Sequence, residues 1–138
     1  MSVVFELPIQ VFWEDTDAGG IVYHANYLCF FERARTSWLR ALGIGQRSLK
    51  ERTGGMFVVS DCTLKYLRPA RIDDELVVTV ALQTAGRAQL TLAQQVLRRD
   101  ADNTHSLLCQ GTVRLGWIDA ATFRPTRIPQ ALIEKMRS

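Results

Sequence analysis

Cysteine is scarce in this 138-residue chain: Cys29, Cys62 and Cys109 are an odd number with wide spacing. No CxxC pair and no Cys/His cluster occurs, so neither a disulfide framework nor a zinc signature is present. Long apolar runs are missing too; none reaches the ~18 residues that a membrane-spanning helix needs. The N-terminal stretch MSVVFELPIQ has neither the basic region nor the small-residue cleavage site of a secretory signal, which points to a cytoplasmic protein. Runs of one charge are absent. The net charge of +3 is spread over scattered arginines, which argues against a nucleic-acid-binding stripe and suits a small anionic ligand or an acidic protein partner. There is no glycine-rich phosphate loop, dinucleotide fingerprint or GxSxG nucleophile elbow. No repeat, low-complexity segment or linker divides the chain, and its length suits a single domain over 1–138 with one core.

What is present is alternation, then a helix, then alternation again. Ile9, Val11 and Trp13 alternate with Gln10, Phe12 and Glu14, which is strand periodicity. From about Ala25 to Leu42 the pattern becomes helical. Tyr27, Phe31, Ala34, Trp38 and Leu42 recur at three- and four-residue steps, with Leu28, Arg35 and Leu39 flanking them on the same side. Gly43 and Gly45 are stop signals. Beyond them, Val58, Ser60, Cys62, Leu64 and Tyr66 form one face of a second strand, closed by Pro69 and an Asp73-Asp74 turn. Leu76, Val78, Val80 and Leu82 alternate in a third, and Ala85-Gly86-Arg87 reads as a hairpin connection. Ala88 to Arg98 fits either a strand or a helical face; the turn signals on both sides favour a strand. Leu107, Cys109, Gly111, Val113, Leu115 and Trp117 share one face of the last long strand, and Pro129 precedes a short helix over Gln130 to Met136. The expected class is α+β, an antiparallel sheet of about five strands against one long helix. One sheet does not cover that helix on all sides, so curvature or a second subunit must complete its burial.

Between the first strand and the helix lies WEDTDAGGIVYH, Trp13 to His24, with the acids Glu14, Asp15 and Asp17, a Gly-Gly pair and a histidine. Turns and helix starts use such residues routinely, but an ordinary turn uses one acid, not three. As a calcium loop the segment has Asp15 first, Asp17 third and Gly20 sixth, yet Gly19 stands fifth and Asn26 twelfth, so the oxygen count falls short. A phosphoryl-accepting Asp-x-Asp belongs with a parallel sheet and crossover helices, which this chain lacks. Acyl transfer to water fits better. The first N–H groups of a helix have no intrahelical partner and carry partial positive charge, so they can hold an oxyanion. A carboxylate just upstream can attack the same carbonyl or deprotonate a water, and Gly19 and Gly20 allow close approach of a ligand.

The stretch EDTDAGGIVYHANY, running on into FFERART, resembles the signature of the hotdog-fold acyl-CoA thioesterases of the 4-hydroxybenzoyl-CoA thioesterase group. It is most similar to their Tol-Pal-associated branch in Gram-negative bacteria, and YLRPARIDD (Tyr66 to Asp74) resembles the same branch. The resemblance covers nearly the whole chain. It implies a curved sheet wrapped round a central helix, homodimers or homotetramers with sites at the subunit interface, and hydrolysis of an acyl-CoA without metal or cofactor, coenzyme A being part of the substrate.

Carried over residue by residue, the resemblance makes Asp17 the catalytic carboxylate, as nucleophile or general base, and leaves Asp15 to fix the loop through backbone hydrogen bonds. His24 matches the family's oxyanion donor through its backbone N–H; its imidazole either assists the leaving thiolate or has no chemical role. Gly20 and Tyr23 line the same place. Tyr27 is open between acyl pocket and core, and Glu32 between a partner's site and a surface ion pair. Arg87 matches the location of a nucleotide-binding cation, with Arg68 and Arg71 as weaker candidates. Cys29 near the helix start has no base beside it and is set aside. Acyl carrier protein is a further partner that the family suggests. The rival reading is a non-catalytic scaffold of the cell-envelope machinery that binds acyl thioesters or acyl carrier protein, for which an acid beside the thioester has no use.

Overall fold

The computed structural model describes residues 4–138; residues 1–3, part of the stretch read for a secretory signal, lie outside it. Strand β1 (Phe5–Gln10) leads through a single 3-10 turn at Trp13–Asp15 to helix α1 (Asn26–Ala41) and helix α2 (Gln46–Thr53). Strands β2 (Gly55–Tyr66), β3 (Glu75–Ala85), β4 (Gln89–Arg99) and β5 (His105–Asp119) follow, and helix α3 (Gln130–Arg137) ends the chain. The strands form one sheet in the order β1-β3-β4-β5-β2, and every neighbouring pair is antiparallel.

Helix α1 forms because its sixteen residues contain neither Gly nor Pro and set Tyr27, Phe30, Phe31, Ala34, Trp38 and Leu39 toward the sheet. It packs on β1, β3 and β4. It stops at Gly43, φ +80°, where the Gly43 N–H meets the Arg40 carbonyl at 2.9 Å and the Ile44 N–H meets that of Leu39 at 2.8 Å. This is a Schellman closure, and the flanking Leu39 and Ile44 are both buried. Gly43 is therefore the stop expected of it, whereas Gly45 opens α2 as its N-cap.

Four expectations need correction. The first strand ends at Gln10, and Trp13, expected within its alternation, lies 82% exposed in the 3-10 turn. Leu28 does not join the inward stripe: it is 45% exposed, and Phe30 occupies the buried position instead. Helix α2 was not anticipated, because QRSLKERT is polar all round and buries only Leu49. The strands also carry shifts of register that break simple alternation. In β2 one falls between Val59 and Asp61, so Val59 pairs with Leu115 and Cys62 with Val113, and the run from Val58 to Tyr66 does not keep one face. In the β4–β5 pair Val96 faces Cys109 but Leu97 faces Leu107, which sends Leu108 rather than Leu107 into the core.

Leu76, Val78 and Val80 from β3, Leu92 and Val96 from β4, and Val113 and Trp117 from β5 build one core with the helix. Each such side chain contributes about 1.5–3 kcal/mol on full burial. Cys109 lies in this core, and burial pushes its thiol up to about 11. One polar side chain sits among them: Gln94, 1% exposed, donates to the carbonyls of Phe31 (3.1 Å) and Thr79 (3.2 Å) and accepts from Arg35 at 3.0 Å. With its amide satisfied, this residue ties α1 to the sheet. Burial lowers the Arg35 guanidinium below its usual value, with the Glu32 charge opposing.

Gly111 marks the tightest approach in the sheet, since a Cβ there would collide with the Thr63 carbonyl oxygen. Gly111→Ala is expected to destabilise the protein by about 1–3 kcal/mol, because backbone must move to admit the methyl group. Chemical denaturation of the variant against wild type measures this, and an unchanged midpoint contradicts the packing described.

Candidate active site

The loop from Val11 to Asn26 is held by backbone bonds at both ends. Val11 pairs with the 73–74 turn through Val11 N to Asp74 O and Asp73 N to Val11 O, both 3.0 Å. Val22 N reaches the Ala70 carbonyl at 2.9 Å, and Ile21 bridges to Arg71. Thus the 67–74 connection forms a second rail beside the loop. Inside it, Asp17 N donates to Ile21 O (2.9 Å) and Gly20 N to Asp17 O (3.0 Å), a tight turn that requires Gly20 at φ +78°.

The acids in this loop have separate tasks. Asp15 is 7% exposed, and its Oδ2 accepts the Phe12 N–H at 2.9 Å. Its carbonyl oxygen accepts from Tyr23 N (2.9 Å) and from Asn26 Nδ2 (2.8 Å), so the first residue of α1 reaches back to the turn before it. Asp17 is solvent-exposed, and its Oδ1 accepts the Gly19 N–H at 2.8 Å. That single bond orients the carboxylate, and among the described residues its second oxygen has no partner. Glu14 points to solvent.

At the helix start, Ala25 holds the N-cap position without a side-chain cap. Asn26 N returns to the Tyr23 carbonyl at 2.8 Å, but within the described residues nothing accepts the N–H of His24 or Ala25. These two donors, at the positive end of a sixteen-residue helix, stand where an anion is stabilised. An oriented carboxylate and free backbone donors thus flank one short segment. That pairing can place charge on both sides of a carbonyl group: a base or nucleophile near its carbon, donors near its oxygen.

The family model of the thioesterase-like superfamily matches residues 11–136. The chain belongs to that superfamily. This thioesterase-like chain is 37% identical to a Haemophilus influenzae protein named acyl-CoA thioesterase YbgC, across 91% of this chain and 89% of that one. It is 36% identical to acyl-CoA thioester hydrolase YbgC of Escherichia coli O6:H1, across 99% and 98%. The solved structure of a 4-hydroxybenzoyl-CoA thioesterase mutant in complex with 4-hydroxybenzoyl-CoA matches with a TM-score of 0.90 over 98% of this chain and 99% of that one, at 18% identity. That likeness is one of fold, and the five-stranded sheet wrapped on α1 is the hotdog architecture.

Within this thioesterase-like fold the residues singled out in the sequence divide into groups. Asp17, Gly20, Tyr23 and His24 all lie on the loop or at the helix start, Asp17 and Gly20 being joined by the 3.0 Å turn bond and the rings of Tyr23 and His24 being 4.7 Å apart. Tyr27 lies beneath them in the core, 3% exposed, with its hydroxyl accepting the Ala70 N–H at 3.2 Å; burial raises its phenol above the usual value. Glu32 faces solvent on α1 and accepts from Thr36 at 2.8 Å. Together with Arg35, Phe57 and Val59 it lines a cavity of about 170 Å³ between α1 and β2. Arg71 borders the loop through its bridge to Ile21, and Arg68 is exposed on the same connection. Arg87 stands apart, in a groove of about 210 Å³ shared with Arg127, Arg137 and Gln130. Among the described residues none of those three arginines has a carboxylate within ion-pair distance. Sequence reading missed Arg127 and Arg137, which lie far from Arg87 in the chain and meet it only through folding. It also missed Tyr66 as part of the site: its hydroxyl donates to the His24 carbonyl at 2.9 Å. Among the described residues no group of three or more His, Cys, Asp or Glu side chains is placed to hold a metal ion.

Asp15→Ala removes the acceptor for the partly buried Phe12 N–H and is expected to cost about 1–2 kcal/mol of stability. For a chain of this size the melting midpoint should fall by roughly 3–10 °C. A variant that melts with wild type contradicts the anchoring role.

Proposed function

We propose that this chain is an acyl-CoA thioesterase, converting acyl-CoA and water to a carboxylate and free CoA. The observation that carries the reading is the Asp17 carboxylate, fixed at Oδ1 by the Gly19 N–H, on the turn that leads to the unpaired N–H groups of His24 and Ala25. The thioester oxygen is received by those N–H groups, and negative charge that grows on it as the tetrahedral centre forms is met by the helix end. Asp17 acts on the carbon side. It either takes the proton of the attacking water or attacks first and is released by hydrolysis of the resulting anhydride; in both routes one water is consumed and the thiolate leaves with a proton. Gly20 and Tyr23 border the reacting carbonyl, the His24 imidazole lies beside the leaving thiolate, and Tyr27 supports this surface from below.

The groove of Arg87, Arg127 and Arg137 suits the phosphates of coenzyme A, since three unneutralised guanidiniums offer bidentate donors to phosphate oxygens. An acidic acyl carrier protein is a compatible second source of the acyl group. We further read the enzyme as a homodimer or homotetramer formed from single-domain subunits. The support is β2, an edge strand of twelve residues with exposed Val59, since an uncovered edge of that length invites pairing with a second copy. The cytoplasmic, Tol-Pal-associated setting belongs to the same reading and rests on the resemblance of the motifs. No cofactor enters this chemistry. The scaffold reading gains no support from a site with an oriented acid and from relatives named as hydrolases.

Asp17→Asn preserves the acceptor for Gly19 N–H and removes only the charge. Free-thiol release over a panel of acyl-CoAs, with a chelator present, is expected to fall by ~10²-fold or more in this variant, with the oligomer and melting midpoint retained. Full activity in the variant rejects Asp17 as the working acid. Wild-type protein that binds acyl-CoA but releases no thiol returns the scaffold reading.

A further inference from the structure

Tyr66 is the last residue of the edge strand β2, 47% exposed, and nothing in its sequence position marks it as part of the loop chemistry. Yet its hydroxyl donates to the His24 carbonyl at 2.9 Å, forty-two residues away in sequence. Its ring meets that of His24 edge-on at 6.2 Å and that of Tyr27 at 5.5 Å. Tyr27 is itself buried and accepts the Ala70 N–H through its hydroxyl, so Tyr66 packs against a ring held in the core.

The consequence follows from the planarity of the peptide bond. Among the described residues every peptide bond is trans, so the C=O of His24 and the N–H of Ala25 point in opposite directions within one rigid plane. Holding the His24 oxygen toward Tyr66 turns the Ala25 N–H away from it. The preceding plane is fixed in the same way: Asn26 N holds the Tyr23 carbonyl at 2.8 Å, which sets the direction of the His24 N–H. Thus one unpaired donor is aimed by the helix itself and the other by a side chain from the sheet edge.

We infer that Tyr66 is a positioning residue, which orients the Ala25 N–H toward the reacting carbonyl by clamping the His24 carbonyl. The inference rests on the thioesterase reading and adds to it a residue outside the loop. The Tyr66 hydroxyl is protonated and able to donate through neutral pH as any tyrosine is, and burial raises the phenol further above its usual value. Since the clamp acts on the geometry of the charged tetrahedral centre rather than on binding of the neutral thioester group, its loss should appear in kcat and not in KM.

Tyr66→Phe tests this, because it retains the ring and deletes the donor. The expected result is a kcat lower by about five- to tenfold with KM within about twofold of wild type. Affinity for a thioether analogue of the substrate, which has no carbonyl, should be unchanged. A variant whose kcat equals that of wild type, or whose loss lies wholly in KM and in thioether affinity, overturns the inference while leaving the thioesterase reading intact. Wild-type protein that releases no thiol overturns both.

Discussion

The carbonyl oxygen of Asp15 accepts two hydrogen bonds, from the Tyr23 N–H and from the Asn26 side chain, and the shape of the loop depends on that double acceptance. It draws the first residue of α1 against the turn that precedes the loop, so the intervening residues must fold outward as the tight turn around Asp17 and Gly20. Because Asn26 is occupied in this way, and because the methyl group of Ala25 cannot accept a hydrogen bond, the start of α1 is left uncapped. An uncapped helix start usually costs stability, on the order of 1 kcal/mol. Here it leaves two donors open on the segment that also carries the Asp17 carboxylate, a local departure from good helix design of the kind found where a fold binds something.

The same geometry explains why the helix and the sheet cannot be treated separately. Helix α1 is fixed by its apolar stripe and by the amide of Gln94, which spans from the Phe31 carbonyl to that of Thr79. Strand β2 then contributes at both scales. Its outer edge has no neighbouring strand in the sheet, and its last residue, Tyr66, reaches back to the helix start. The geometry of the helix start is therefore tied to the position of an edge strand.

Much of this was legible in the sequence, for reasons that are local. The helical stripe from Tyr27 to Trp38, the hairpin at Gly86 and the stop at Gly43 each follow from spacing or from backbone preference over a few residues. The concentration of acids in WEDTDAGGIVYH marked the loop, and the structure separates Asp15 from Asp17 by burial and bonding partner. What escaped was non-local or lacked a pattern. Helix α2 has no apolar period because only Leu49 needs burial. The register shifts in β2 and β5 depend on what the neighbouring strand presents, not on the strand's own alternation. Leu28 carries the right residue type for the inward stripe but the wrong angle, and Phe30 takes its place. The Tyr66 clamp and the Arg87, Arg127 and Arg137 groove join residues that only the folded chain brings together.

The central claim is that the backbone donors at the start of α1 receive the substrate carbonyl. The most direct test is amide NMR of the isotopically labelled protein, titrated with a ketone analogue of acyl-CoA in which a methylene replaces the thioester sulfur. The His24 and Ala25 amide resonances are expected to move with saturation of the analogue, together with those around the Arg87 groove. Saturation that shifts the groove resonances while the His24 and Ala25 amides stay in place would contradict that claim.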